Sequence, residues 1–241
     1  GHKVDLYEKA GELGGLLRTE KYIPFKEDMH NFVKAMETQI RRAGVNILLH
    51  TEAIPGQMET AGYDAVMVGI GAEPIVPKIP GIQDPKIRGL EALHQETPDL
   101  GQKVVILGGG LVGSEAGIYL DMLGKDVTVV EMKEDWAADA YFMHKNAMLL
   151  YMKKDAKNLK FMTGTTAKEV TEKGLTVITA DGNEETIPAD SILLAAGFKA
   201  DPQAAEAFYN TADRTFILGD AVRAGRVVDA TTQGYYMAME I

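Results

Sequence analysis

Apolar residues in this chain follow two rhythms. Val104 to Leu107 and Ser191 to Leu194 are nearly unbroken apolar runs, too short for helices, and predict strands covered on both faces in a parallel sheet. Val127, Val129 and Val130, the run Ala65 to Val68, and Phe216-Ile217-Leu218 read the same way. Alternation at Val4, Leu6 and Tyr7, and at Val45, Ile47 and Leu49, predicts two more strands. The second rhythm is helical. Residues 27–43 place Phe32, Val33, Met36 and Ile40 on one face and stop at Gly44. From Leu111, apolar or small residues recur at Val112, Ala116, Tyr119, Leu120 and Leu123, ending near Gly124. Helices are also expected over about 138–152 and 231–241, with Met143, Met148 and Met152 as core filler. Between them, 167–171, 175–179 and 185–187, punctuated by Lys173-Gly174 and Asp181-Gly182-Asn183, predict a β-meander. Strand and helix alternating in this order make an α/β fold.

The 103–132 stretch concentrates the chemistry. An apolar strand opens into Gly108, Gly109 and Gly110, with Gly113 completing a G-x-G-x-x-G spacing before a helix and a second strand that ends in Glu131. The spaced glycines serve different purposes. Gly108 permits the tight turn, Gly110 lets a diphosphate approach the backbone, and Gly113 lets the helix pack on the strand. The unpaired N–H groups around Leu111 and Val112, at the positive end of the helix dipole, then face an anion. Glu131 stands at the spacing where an acid takes the ribose hydroxyls of the adenosine half, and its charge favours NADH over a 2′-phosphate.

This pattern has an echo. Residues 124–131, GKDVTVVE, align without a gap on residues 1–8, GHKVDLYE, so Glu8 is the counterpart of Glu131. By this repeat, the strand and glycine loop that would precede residues 1–8 in a second dinucleotide unit are expected upstream of Gly1. Leu13, Gly14 and Gly15 offer a backbone approach to a second nucleotide's phosphates, or simply a turn. Gly71, Ala196, Gly197 and Gly219 are small residues at strand ends, where a cofactor or a crossing chain comes close. Asp220, at the carboxyl end of a strand, suits either a ribityl hydroxyl or an ordinary turn. The prolines from Pro74 to Pro85 predict an extended connector reaching about Gln102.

Composition narrows the chemistry. A net charge of −10 without a basic stripe argues against a nucleic-acid role. No apolar run reaches membrane-spanning length, and a cytoplasmic protein is expected. With no cysteine, the chain offers no thiol nucleophile, redox disulfide or thiolate-held cluster, which disfavours dithiol redox chemistry. The five histidines show no metal-ligand spacing, and no metal site is assigned.

Taken together, YEKAGELGG (7–15), VGIGAEP (68–74), VVILGGGLVGSEAG (104–117), LLAAGFKAD (193–201) and FILGDAVRAGRVVDATTQGYYMA (216–238) resemble the two-dinucleotide-binding-domain flavoproteins. Among these they most resemble the carboxyl-terminal half of the NADH:flavin oxidoreductases related to 2,4-dienoyl-CoA reductase, 2-enoate reductase and trimethylamine dehydrogenase. Gly69-Ile70-Gly71 stands where that family more usually has Ala-Thr-Gly. The resemblance implies two Rossmann-like domains, one inserted in the other: residues 1–97 and 198–241 as an FAD domain lacking its first βα unit, and 98–197 as an NAD domain. It implies that Glu8 binds the FAD ribose, Leu13 to Gly15 its phosphates and Asp220 the ribityl chain, with Val228 to Thr231 near the isoalloxazine. Gly108, Gly110, Gly113 and Glu131 would hold NADH. The implied function is passage of electrons from NADH to FAD in a larger reductase whose amino-terminal barrel carries FMN and an iron–sulfur cluster. FAD binding by these residues alone is expected to be weak. A homo-oligomer is compatible with the resemblance. The alternative is a non-catalytic domain that holds ADP or another nucleotide for structural reasons. Hydride transfer is cofactor chemistry, so no side chain is assigned a catalytic role.

Overall fold

The computed structural model describes residues 1–241 and divides into two packed units. The central one comprises Thr19–Glu27 and Pro74–Gly197; the other comprises Gly1–Arg18, Asp28–Glu73 and Phe198–Ile241. The connector therefore belongs with the central unit. Its residues Ile79, Ile82 and Ile87 pack on that unit's core, and Ile87–Arg88 forms a strand the proline-rich sequence does not predict.

The central unit is built on a five-stranded, wholly parallel sheet in the order Ile87–Arg88, Ser191–Leu194, Lys103–Leu107, Asp126–Val130, Leu159–Met162. Its three middle strands are buried on both faces, which is why their sequences do not alternate. Val105, Leu107, Val130, Ile192 and Leu194 face an antiparallel meander of Thr166–Thr171, Gly174–Ile178 and Glu184–Pro188, which contributes Val170, Leu175, Val177 and Ile187 to one core. The helix Leu111–Met122 lies close to the sheet through Gly117, where a β-carbon would come within 3.0–3.6 Å of Val129, Leu159 and Ile106.

The other unit has no such sheet. Asp5–Tyr7 pairs in parallel with Asn46–Leu48, and Ala65–Val68 with Arg214–Ile217, as two separate two-stranded ladders. Its buried core is small, formed by Met58, Val68, Ala205, Phe208 and Ala221. The helix Glu27–Arg42 matches the sequence pattern, yet none of its residues is buried and Phe32 and Met36 are exposed, because two-stranded ladders offer little surface to cover an apolar stripe.

Several expectations shift. The third expected helix begins at Phe142 rather than about Ala138, since residues 133–141 form an irregular loop held by the glycine turn. Met148 is buried as expected, but Met143 is exposed and fills no core. The last helix runs Val227–Ala238, four residues earlier than expected at its start. Short helices Pro55–Ala61 and Pro202–Glu206 carry too little periodicity to stand out; the second is capped by Asp201, which accepts the Ala204 N–H.

Candidate functional site

At the end of the Lys103–Leu107 strand the glycines have distinct surroundings. Gly108 has φ +113°, and a β-carbon there would lie 2.3 Å from the Ala195 carbonyl oxygen. At Gly113 a β-carbon would meet the Gly108 carbonyl oxygen at 1.9 Å, so the helix sits on the turn only because that position is bare. Gly110 differs. Its backbone angles suit any residue, and what its missing side chain would approach is a side chain, the Asp139 carboxylate, rather than backbone.

Glu131 is buried at the end of the neighbouring strand. Its Oε2 accepts the Gly109 N–H at 2.7 Å, and its Oε1 accepts the Lys133 N–H at 2.8 Å. The carboxylate thus ties the glycine turn to the strand end, and a carboxylate's remaining lone pairs suffice for ribose hydroxyls. Ser114 Oγ adds a bond to the Gly109 carbonyl.

A residue that no sequence pattern singles out completes the turn. Asp139, from the loop after Glu131, accepts the Leu111 N–H at 2.8 Å, and its carboxylate oxygens stand 3.3 and 3.5 Å from where a Gly110 β-carbon would be. An anion therefore lies on the helix start, as its dipole and unpaired amides favour. This is the space where a diphosphate is expected. The acidic loop EDWAADA, residues 134–140, was the available signal, though sequence distance hid its return to the glycines.

A second cluster lies further along the same unit. Lys26 Nζ pairs with Glu115 Oε2 at 2.7 Å and with Glu20 Oε1 at 3.3 Å, all three side chains largely shielded from solvent. Burial alone would lower the Lys26 ammonium, but the two carboxylates outweigh it and hold it above its ordinary value. Burial pushes the Glu115 carboxyl up against the pull of Lys26. Glu20 Oε2 is buried without a partner. Glu115 follows the glycines as part of GSEAG and stands among buried neighbours, a position where a charge needs a partner.

The remaining predicted residues lie in the other unit or on the connections to it. Glu8 ends its strand with Oε1 accepting the Ala10 N–H at 2.8 Å. Gly14 and Gly15 both have positive φ, and Leu13 precedes them on a bend that leads into a single 3-10 helix, Gly15–Glu20, rather than a long helix start. Gly71 and Gly219 are left-handed, and the Gly219 N–H donates to Gln233 Oε1 at 2.7 Å. Asp220 Oδ1 accepts the Gly225 N–H at 3.0 Å, the turn role; Thr231 Oγ1 donates to the Val227 carbonyl, and Val228 is exposed. Ala196 and Gly197, the latter at φ +96°, follow the Ser191–Leu194 strand of the central unit, beside the glycine turn that Ala195 touches. No cluster of metal-binding side chains is present, and no helix is long and apolar enough to cross a membrane.

The family described as pyridine nucleotide-disulphide oxidoreductase matches residues 5–223. A NADH oxidase of Thermoanaerobacter brockii is 30% identical, aligned over 100% of this chain and 38% of its own length. A cinnamate reductase of Clostridium sporogenes is likewise 30% identical, over 100% of this chain and 36% of its own length. Among solved structures, a 2-naphthoyl-CoA reductase in complex with 2-naphthoyl-CoA superposes with a TM-score of 0.92 at 29% identity, covering 100% of this chain and 36% of that one. The chain thus spans well under half the length of these relatives.

Proposed function

This chain belongs to the pyridine nucleotide-disulphide oxidoreductase family, and on that premise we propose that it passes electrons from NADH to FAD as part of a larger reductase. NAD(H) and FAD are the cofactors that go with this family and with the two-domain flavoproteins its relatives represent. The observation that carries the reading is the strand–glycine turn–helix of the central unit, without a β-carbon at Gly110 where a diphosphate would approach and backed by the buried Glu131. In this reading the amides at Leu111 and Val112 hold the diphosphate, Gly108, Gly109 and Gly113 keep the turn tight, and Glu131 receives the ribose. Bound together, the two cofactors supply hydride transfer themselves; the chain orients them, and no side chain is assigned as acid or base. The disulphide half of the family's name has no counterpart here, since the chain has no cysteine.

For FAD, Glu8, Leu13, Gly14, Gly15, Asp220, Val228 and Thr231 are the proposed contacts. They include no long helix starting at a glycine turn, so these residues alone hold FAD less firmly than the central unit holds NADH. The length of the relatives supports further domains in the whole protein, and an amino-terminal barrel with FMN and an iron–sulfur cluster is the proposed electron acceptor.

Calorimetric titration of the 241-residue chain with NADH and with FAD tests this. Saturable NADH binding tighter than FAD binding is expected, and its loss in Gly110→Val, a variant whose backbone angles tolerate a side chain, assigns the binding to the turn. Undiminished NADH binding by that variant removes the assignment.

A further inference from the structure

We propose that Asp139 is a built-in competitor for the anion seat at the start of the Leu111–Met122 helix, so that a dinucleotide engages the seat only by displacing the Asp139 carboxylate. This rests on the reading of residues 108–113 as the NADH site and adds to it the residue that sets the site's affinity.

The side chain is delivered to the seat by a fixed loop. Beyond Glu131, the Gly164 N–H donates to the Lys133 carbonyl at 2.7 Å. Trp136 stacks on Phe161 with ring centroids 4.4 Å apart, and Lys145 pairs with Asp135 while lying over the Trp136 ring. Ala137 is fully buried in the left-handed region, φ +46°, and its N–H donates to the Gly109 carbonyl of the glycine turn at 2.6 Å. A non-glycine residue keeps such a conformation only when its surroundings impose it. Two residues later, Asp139 meets the Leu111 N–H at 2.8 Å and fills the space that Gly110 leaves open.

The chemistry of the contact is that of the ligand. A carboxylate and a diphosphate are both anions drawn to the same unpaired amides, and both cannot hold the Leu111 N–H together in the space over Gly110. Their like charges add to the exclusion. Asp139 itself is exposed, so it can turn outward into water without leaving a buried charge behind. A ligand that must first empty a seat has its dissociation constant raised by the reciprocal of the empty fraction. Against an ordinary capping side chain, that penalty is about fivefold.

The test compares wild type, Asp139→Asn and Asp139→Ala by calorimetry with three probes: NADH, inorganic pyrophosphate and adenosine. Asp139→Ala should bind NADH and pyrophosphate about fivefold more tightly than wild type. Asp139→Asn, which keeps an oxygen for the Leu111 N–H but loses the charge, should gain less. Adenosine, with no diphosphate, should bind all three alike. NADH affinity that is unchanged or weaker in folded Asp139→Ala overturns the proposal, as does an equal gain for adenosine, which would mean the loop had merely opened. Absence of NADH and pyrophosphate binding in all three proteins would instead overturn the NADH site itself.

Discussion

The two halves of the internal repeat can be compared bond by bond. Glu8 and Glu131 each end a strand, and each donates its N–H to the next parallel strand, Leu48 in one case and Met162 in the other. Each gives its carbonyl to a threonine N–H, Thr51 or Thr165, at 2.9 Å, and each carboxylate accepts the N–H two residues on. The residue before each threonine is left-handed, His50 at φ +52° and Gly164 at φ +60°, and returns its N–H to Ala10 or Lys133. They part at one oxygen. Glu131 Oε2 takes the Gly109 N–H, whereas the other unit has no strand-borne glycine turn to pair with Glu8. One repeat is set in a five-stranded sheet and the other in a two-stranded ladder. The repeated part is therefore a shared scaffold, and the Gly108–Gly113 turn is what the central unit adds to it.

That contrast should be visible in stability. The largest effect is expected for Gly113→Val, which drives a side chain into the Gly108 carbonyl, a backbone atom with nowhere to move. The central unit should lose about 4 kcal/mol or more, or fail to fold, as read by urea unfolding. Next is Leu193→Ala, in the middle of the buried sheet, with an expected cost of about 2–5 kcal/mol. The matching truncation in the other unit, Met67→Ala on a strand residue 39% exposed, should stay within about 0.5–1 kcal/mol. Equal costs for the two would break the comparison.

The smallest effect concerns the edge of the thinner unit. Tyr63 donates to Asp5 Oδ2 at 2.6 Å and shares a bond with the Tyr7 hydroxyl. Hydrogen bonds from Tyr63 and then Asn46 hold the Asp5 carboxyl below its ordinary value, and the same contact with Asp5 raises the Tyr63 phenol. A depressed carboxyl stabilises the fold above its unfolded pKa, and that contribution disappears as pH falls through its folded value. Tyr63→Phe should accordingly lower stability slightly at neutral pH and make it less sensitive to acid below the ordinary carboxylate range. An unchanged acid limb in the variant would show that the pair contributes nothing.

Much of this was legible in the sequence, for physical reasons that can be named. Strands buried on both faces leave continuous apolar runs, so Val104 to Leu107 and Ser191 to Leu194 announced themselves. The glycine spacing marked the turn because sterics allow nothing else at Gly108 and Gly113. The edge strands Ile87–Arg88 and Leu159–Met162 did not stand out; they are short and half-buried, held by their neighbours' hydrogen bonds rather than by a pattern of their own. Asp139, Lys26 and Glu115 were hidden for another reason. Their partners lie 28 residues away for Leu111 and Asp139, and farther still for Lys26 and Glu115. An acid's spacing says nothing of which distant amide or ammonium it will meet.

The most direct test of the NADH site is a crystal structure of this chain with NADH. It should place the diphosphate against the Leu111 N–H with Asp139 turned away, and the adenosine ribose on Glu131. A diphosphate bound elsewhere, with Asp139 still on Leu111, would contradict it.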